Sequence, residues 1–259
     1  MSDAPLYNTL VRYTAGNPIR FHMPGHKGGN GYDAGFLNSV LPFDVTELDI
    51  TDNLYVADGV IGESEKLAAK TFGADFTLFS AGGATLCIQA MLYCAAKMSS
   101  SIIVGRNCHK SVVNALGLID ADVTWVYPET DEHNLLKGLS ASDIEDALAK
   151  DPKASAVFIT SPDYYGMMAD VKGISDVCKR YNKPLLCDCA HGTHLHFLKG
   201  SRHPLSNGAD ICADSAHKTL PVLTGGAYFN IKSDFFKKTA LKNAMSLFGS
   251  SSPSYLLLA

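Results

Sequence analysis

The pattern of apolar and polar residues changes near residue 62. Before that point the chain is rich in Gly, Pro, Asn and Asp and has few periodic segments. In the segment FHMPGHKGGNGYDAG, residues 21–35, Gly and Pro recur too often for a helix or a regular strand. We therefore predict an irregular N-terminal arm over residues 1–55.

After residue 62, short runs of β-branched and apolar residues alternate with segments of helical periodicity. One predicted helix opens at Ser142 with Glu145 three residues later, which is the capping-box spacing. The predicted strands are 77–80, 101–105, 123–127, 156–160, 184–188, 210–215 and 226–231, and the predicted helices are 62–73, 85–97, 109–119, 142–150 and 170–182.

This alternation indicates an α/β fold with a seven-stranded, mostly parallel sheet sandwiched by helices. We assign residues 56–238 to this major domain. The sequence ends in the apolar segment SYLLLA, which has no helix cap and no polar tail. We therefore expect residues 239–259 to begin a connection to a C-terminal domain that this chain lacks.

Composition excludes several classes of protein. The formal net charge is −4 and no basic block occurs, so nucleic acid is not an expected partner. The sequence has no segment of signal-peptide type and no apolar run near the roughly 18 residues of a membrane helix. None of the seven cysteines forms a C-x-x-C pair, which favours free thiols in a reducing compartment. We predict a cytoplasmic protein that does not bind membranes.

Small residues follow the predicted strand 77–80, at the start of a helix. Gly83, Ala84 and Thr85 offer backbone N–H groups, a helix N-terminus and a hydroxyl, which together suit a phosphate. The same pattern also occurs in ordinary strand-to-helix turns. The spacing is neither that of a Walker loop nor that of the G-x-G-x-x-G dinucleotide motif.

Three chemically active side chains end or follow other predicted strands. Asp188 is the last residue of strand 184–188, and His109 and Lys218 come shortly after strands 101–105 and 210–215. Each also has a structural interpretation, respectively a helix-end histidine, a turn aspartate and a surface lysine. Ligands of such sheets bind beyond the carboxyl ends of the strands, where all three residues are expected. An amine, a carboxylate, a flat ring and a phosphate cradle are what pyridoxal phosphate requires.

The sequence resembles a known family, the Orn/Lys/Arg decarboxylases, which are fold-type-I pyridoxal-phosphate enzymes. The resemblance extends over essentially the whole chain, and the order of the motifs is more specific than any one of them. The motifs are FHMPGHKGG (21–29), FGADFTLFSAGGATLCIQAML (72–92), RNCHKS (106–111), SPDYYG (161–166), DCAHGTHLHF (188–197) and SAHKTLPVLTGGA (215–227).

The resemblance implies a role for each matching position. Lys218 would form the internal Schiff base, and Asp188 would pair with the pyridine nitrogen. His109 would stack on one ring face and Ala190 would lie against the other. The implied reaction is decarboxylation of lysine, ornithine or arginine, at the interface of a homodimer or a higher oligomer. The implied phosphate ligands are Gly83, Ala84, Thr85, Ser215 and His217.

Four positions depart from the common family pattern. Ala84 stands where the family often has Ser or Thr, so only its backbone can bind phosphate. Cys87 replaces a common Gly, Asp163 replaces Thr, and Gly225 stands where many members have Gln.

Three alternative functions stay open at the level of the sequence. The first is a pyridoxal-phosphate aminotransferase or lyase, since this fold supports several reactions. The second is a metal enzyme that uses His191, His194 and His196, or the cysteines 187 and 189 beside Asp188. The third is an inactive, truncated paralogue that acts by binding.

Overall fold

A seven-stranded sheet organises the part of the chain that the computed structural model describes, residues 3–31 and 33–259. The strand order across the sheet is β1-β7-β6-β5-β4-β2-β3. The strands differ from the predicted ones by at most one residue at either end. They are β1 Phe76–Ser80, β2 Ser101–Gly105, β3 Asp122–Val126, β4 Val157–Thr160, β5 Leu185–Asp188, β6 Ile211–Asp214 and β7 Ala227–Ile231.

The direction of the strands brings six carboxyl ends to one edge. The neighbours from β6 across to β3 pair in parallel. β7 is antiparallel to both β6 and β1, so two reversals leave β1 pointing the same way as β6. The predicted α/β fold with a mostly parallel sheet is confirmed, and residues that follow β1, β2, β4, β5 and β6 share the carboxyl edge.

Helices cover both faces of the sheet. Ile102 and Val104 pack on one face with α3, α4 and α8, whereas Ile103 packs on the other face with α5 and α6. This alternation follows from the two-residue period of a strand. The helices are α1 Pro5–Ala15, α2 Val60–Phe72, α3 Gly83–Ala96, α4 Lys110–Leu118, α5 Ala141–Lys150, α6 Val171–Arg180, α7 Ala216–Thr219, α8 Lys238–Phe248 and α9 Tyr255–Leu258.

The capping box of α5 lies two residues before the predicted one. Ser140 Oγ accepts from the backbone N of Asp143 at 3.3 Å, and Asp143 Oδ2 accepts from the backbone N of Ser140 at 2.8 Å. The prediction of Ser142 and Glu145 is therefore wrong. With Ser140 as the cap, Leu139 and Ile144 both reach the same apolar core, the arrangement of a hydrophobic staple.

The N-terminal arm contains a helix that the sequence analysis does not predict. In α1, Pro5 occupies the first turn, and Leu6 and Leu10 are buried on one side. These leucines pack with Ile61 of α2 and Tyr255 of α9. Residues 21–31 contain neither helix nor strand, as predicted. Across the described ranges, every helix is too short or too polar to span a membrane.

Candidate active site

A cavity of about 880 Å³ opens at the carboxyl edge of the sheet. This volume lies in the range of about 300–1,000 Å³ that is typical of ligand pockets. All the residues predicted to bind the cofactor line this one cavity. They are Gly83, Ala84, Thr85, His109, Asp188, Ala190, Ser215, His217 and Lys218.

The turn after β1 presents the N-terminus of α3 to this cavity. α3 begins at Gly83, two residues before its predicted start, and no side chain caps it. Gly83 has φ +66°, a conformation that favours glycine. The backbone N–H groups of Ala84 and Thr85 belong to the first turn and have no acceptor within the helix. They are therefore available to an anion.

Gly225 joins this turn to the segment that carries Lys218. Its carbonyl accepts from the backbone N of Gly83 at 2.9 Å, and its own N–H donates to His217 Nδ1 at 3.1 Å. Gly225 has φ +102°, and a Cβ there would lie 3.3 Å from a methyl group of Leu257. In the sequence, Gly225 is only a departure from the family pattern. Its backbone explains its structural role, which is to link the start of α3 to His217.

Asp188 ends β5 with its carboxylate almost completely buried. Only 2% of the residue is exposed, and Oδ1 accepts from the backbone N of Ala190 at 3.0 Å. Burial raises the pKa of Asp188, while the Ala190 hydrogen bond and the charges of Lys218 and His109 oppose that shift. A buried carboxylate under this desolvation cost stabilises a cationic ligand group placed beside it.

His109 is both a helix cap and a wall of the cavity. It is the N-cap residue of α4, and its Nδ1 accepts from the backbone N of Ser111 at 3.2 Å. The helix-end interpretation is therefore confirmed, and the same residue also lines the cavity. The cap fixes the ring at the cavity because the hydrogen bond restrains its orientation.

Lys218 extends from the short helix α7 into the cavity region. Its side chain is exposed rather than desolvated by the preceding apolar strand. Its Nζ lies 2.8 Å from Nε2 of His191. In the sequence, His191 is a candidate only as a metal ligand. A histidine in a glycine-containing loop does not by itself indicate a contact with a distant lysine.

His217 and Ser215 complete the side of the cavity formed by the β6–α7 segment. His217 Nδ1 lies 3.1 Å from the backbone N of Gly225 and 3.2 Å from the carbonyl oxygen of Gly226, so the backbone engages this nitrogen and leaves Nε2 for a ligand. Ser215 is 3% exposed and follows directly after β6. Both residues therefore offer polar groups at the same edge as the start of α3.

Two further polar atoms of the cavity wall are buried without a hydrogen-bond partner. They are Thr160 Oγ1, at the end of β4, and Asn107 Oδ1, after β2. Buried polar atoms are rarely left unpaired in native proteins unless a ligand or water satisfies them. Together with the buried Asp188 and the open first turn of α3, they fit a polar ligand that carries an anionic group and a cationic group.

The residues of the alternative metal site do not converge. His191 contacts Lys218, His194 is exposed, and His196 packs against Phe72. In the described ranges, one group of potential metal ligands comes close enough together, namely Cys189, His203 and Asp214. His203 and Asp214 already hydrogen-bond to each other at 2.7 Å in the core.

Comparisons with known proteins identify the family. The model of the Orn/Lys/Arg decarboxylase major domain matches residues 4–259. This chain belongs to that family. The arginine decarboxylase of Bacillus subtilis is 34% identical over 99% of this chain and 54% of its own length. The chain thus spans about half the length of the Bacillus arginine decarboxylases that it matches.

More distant relatives and solved structures agree with the fold. The constitutive lysine decarboxylase of Escherichia coli is 25% identical over 98% of this chain and 39% of its own length. The structure of lysine decarboxylase A from Pseudomonas aeruginosa superposes with a TM-score of 0.83 at 21% identity, over 98% of this chain and 38% of that one. At this identity the superposition supports the fold alone.

Proposed function

We propose that this chain carries the cofactor site of a pyridoxal-phosphate-dependent decarboxylase of basic amino acids. The observation that carries the proposal is the convergence of Lys218, Asp188, His109 and the start of α3 on one cavity. These four features come from four separate segments of the chain and meet only through the sheet topology. Membership of the decarboxylase family favours this reaction over others that the fold supports.

The residues of the cavity match the parts of the cofactor. Pyridoxal phosphate supplies an aldehyde carbon that binds amines and a cationic ring that withdraws electrons from the substrate. The Lys218 amine would hold the aldehyde carbon. The Asp188 carboxylate would retain the proton on the ring nitrogen, and His109 and Ala190 would contact the ring. The phosphate would be held by the N–H groups of the α3 turn, the Thr85 and Ser215 hydroxyls and His217 Nε2.

The substrate and the assembly are further parts of the proposal. The names of the relatives favour arginine or lysine, and the name of the family adds ornithine. Each of these amino acids would give an amine and CO₂. In this proposal, His109 returns a proton to the substrate carbon that loses its carboxylate. We also propose a homodimer or a higher oligomer in the cytoplasm, because a cavity open at the edge of the sheet can be completed by a second subunit.

The test is release of CO₂ from the carboxyl-labelled forms of the three amino acids. The purified chain is incubated with pyridoxal phosphate and each substrate, and the Lys218→Ala variant serves as the control. We expect CO₂ and the matching amine from at least one substrate with the original chain, and neither product with the variant.

Other outcomes separate the alternatives. A keto acid product without CO₂ would indicate an aminotransferase, and cleavage of the side chain would indicate another type of lyase. Cofactor bound at Lys218 with no product from any amino acid would support a binding role and contradict decarboxylation by this chain. No cofactor bound at Lys218 would contradict the whole proposal.

A further inference from the structure

The free end of Lys218 has a specific partner in the cavity wall. Its Nζ lies 2.8 Å from His191 Nε2, within the range of a direct hydrogen bond. The two residues are 27 positions apart and follow two different strands, β5 and β6. The contact therefore depends on the parallel pairing of these strands and not on local chain geometry.

The chemistry of the two groups fixes the direction of this hydrogen bond. A lysine ammonium group can only donate, so His191 Nε2 must accept through its lone pair. The proton of the neutral imidazole then lies on Nδ1.

The surroundings keep His191 in the neutral form that can accept. Burial lowers the pKa of His191 most, and the charges of Lys218 and His109 lower it further. The Asp163 carbonyl and the Asp163 carboxylate act in the opposite direction. Among the described residues, the ionisable groups near the ring are Lys218 on α7, His109 at the start of α4, and Asp163 and Tyr164 in the turn after β4. The Tyr164 ring centroid lies 5.7 Å from that of His191.

We propose that His191 is the positioning residue of Lys218, whose ammonium group it holds at the cavity wall whenever the lysine is not joined to the cofactor. A lysine that the substrate amine has displaced would return to the same place, ready to reattach. The inference rests on the proposed function, since it assigns the resting position of the lysine in that site. It concerns the cofactor-free state, in which it can be tested separately.

The first test measures how fast an amine reagent, trinitrobenzenesulfonate, labels Lys218 in the cofactor-free chain. His191→Leu removes the acceptor that restrains Nζ at the cavity wall, so the amine reaches the reagent more often, and we expect labelling at fixed pH to accelerate by up to about tenfold. His191→Gln keeps an acceptor oxygen and should stay near the original rate. His194→Gln, in the same segment but exposed, is the matched control and should not change the rate.

The second test measures the same contact through the titration of His191. Lys218→Met removes a positive charge that lowers the pKa of His191, so the imidazole signal of His191 in an NMR titration should move to higher pH. Labelling rates unchanged in His191→Leu, or a His191 titration unchanged in Lys218→Met, would overturn the inference. Neither result depends on cofactor binding, so the proposed function is tested independently.

Discussion

Two carboxylates end neighbouring strands of the sheet, and their environments differ. Asp188 closes β5 and Asp214 closes β6, and both are buried. Asp214 Oδ1 accepts from His203 Nε2 at 2.7 Å and Oδ2 accepts from Asn230 Nδ2 at 2.9 Å. Asp188 faces the cavity and receives a backbone hydrogen bond from Ala190.

The difference separates a carboxylate that is satisfied within the core from one that faces a cavity. The partners of Asp214 are themselves buried, and Asn230 is in turn bonded to Thr77, so this cluster is closed within the core. The desolvation of Asp188 is compensated less completely, and its pKa is raised. A carboxylate in that condition contributes more to binding a cation than to folding, whereas Asp214 contributes mainly to stability.

The largest expected effect is on stability at Asp214. Asp214→Ala leaves the donors of His203 and Asn230 buried without an acceptor, and we expect the free energy of unfolding to fall by about 3–5 kcal/mol. Urea unfolding of the cofactor-free chain measures the change. Asp188→Ala is the matched control, and an equal loss in both variants would remove the distinction between the two carboxylates.

The next effect is on cofactor binding at Asp188. Asp188→Asn removes the charge while keeping the shape, so we expect the dissociation constant of pyridoxal phosphate to rise by about 10- to 100-fold. The free energy of unfolding without cofactor should not decrease at neutral pH. Titration followed by absorbance gives the dissociation constant. An unchanged constant would mean that Asp188 does not contact the cationic ring.

The smallest effect is on the pH dependence of stability. Because the pKa of Asp188 is raised in the folded chain, the folded state binds more protons than the unfolded state above pH 3.8, the ordinary value of the carboxyl. This group therefore lowers the free energy of unfolding as the pH rises from 3.8 through the raised pKa of the folded state. We expect Asp188→Asn to remove this part of the pH slope in urea unfolding. An identical pH slope in the variant would contradict a raised pKa of Asp188 in the folded chain.

The sequence predicts the sheet and most of the site for the same physical reason. Parallel buried strands are continuous apolar runs, and the polar residues that follow them must meet at one edge. Asp188 and Lys218 could therefore be placed together, because one ends β5 and the other follows β6. The pairing of β7 with β1 depends on contacts between distant segments, and the sequence pattern did not contain it.

The features that the sequence missed rely on tertiary context. α1 has only a short apolar stripe, Leu6 and Leu10, and becomes stable by packing on α2 and α9. His203 lies in the polar segment SRHPLSNG, which is typical of a surface loop, yet it is fully buried against Asp214. His191 gains its importance from Lys218, a partner that its own neighbours do not indicate.

The most direct test of the account is to identify the lysine that binds the cofactor. The chain is incubated with pyridoxal phosphate and reduced with borohydride, and the modified lysine is found by peptide mass spectrometry. We predict label concentrated on Lys218, absent from Lys218→Ala and retained in Lys199→Ala, a change at an exposed lysine. Label scattered over surface lysines, or no label, would contradict the assignment of the cavity as the cofactor site.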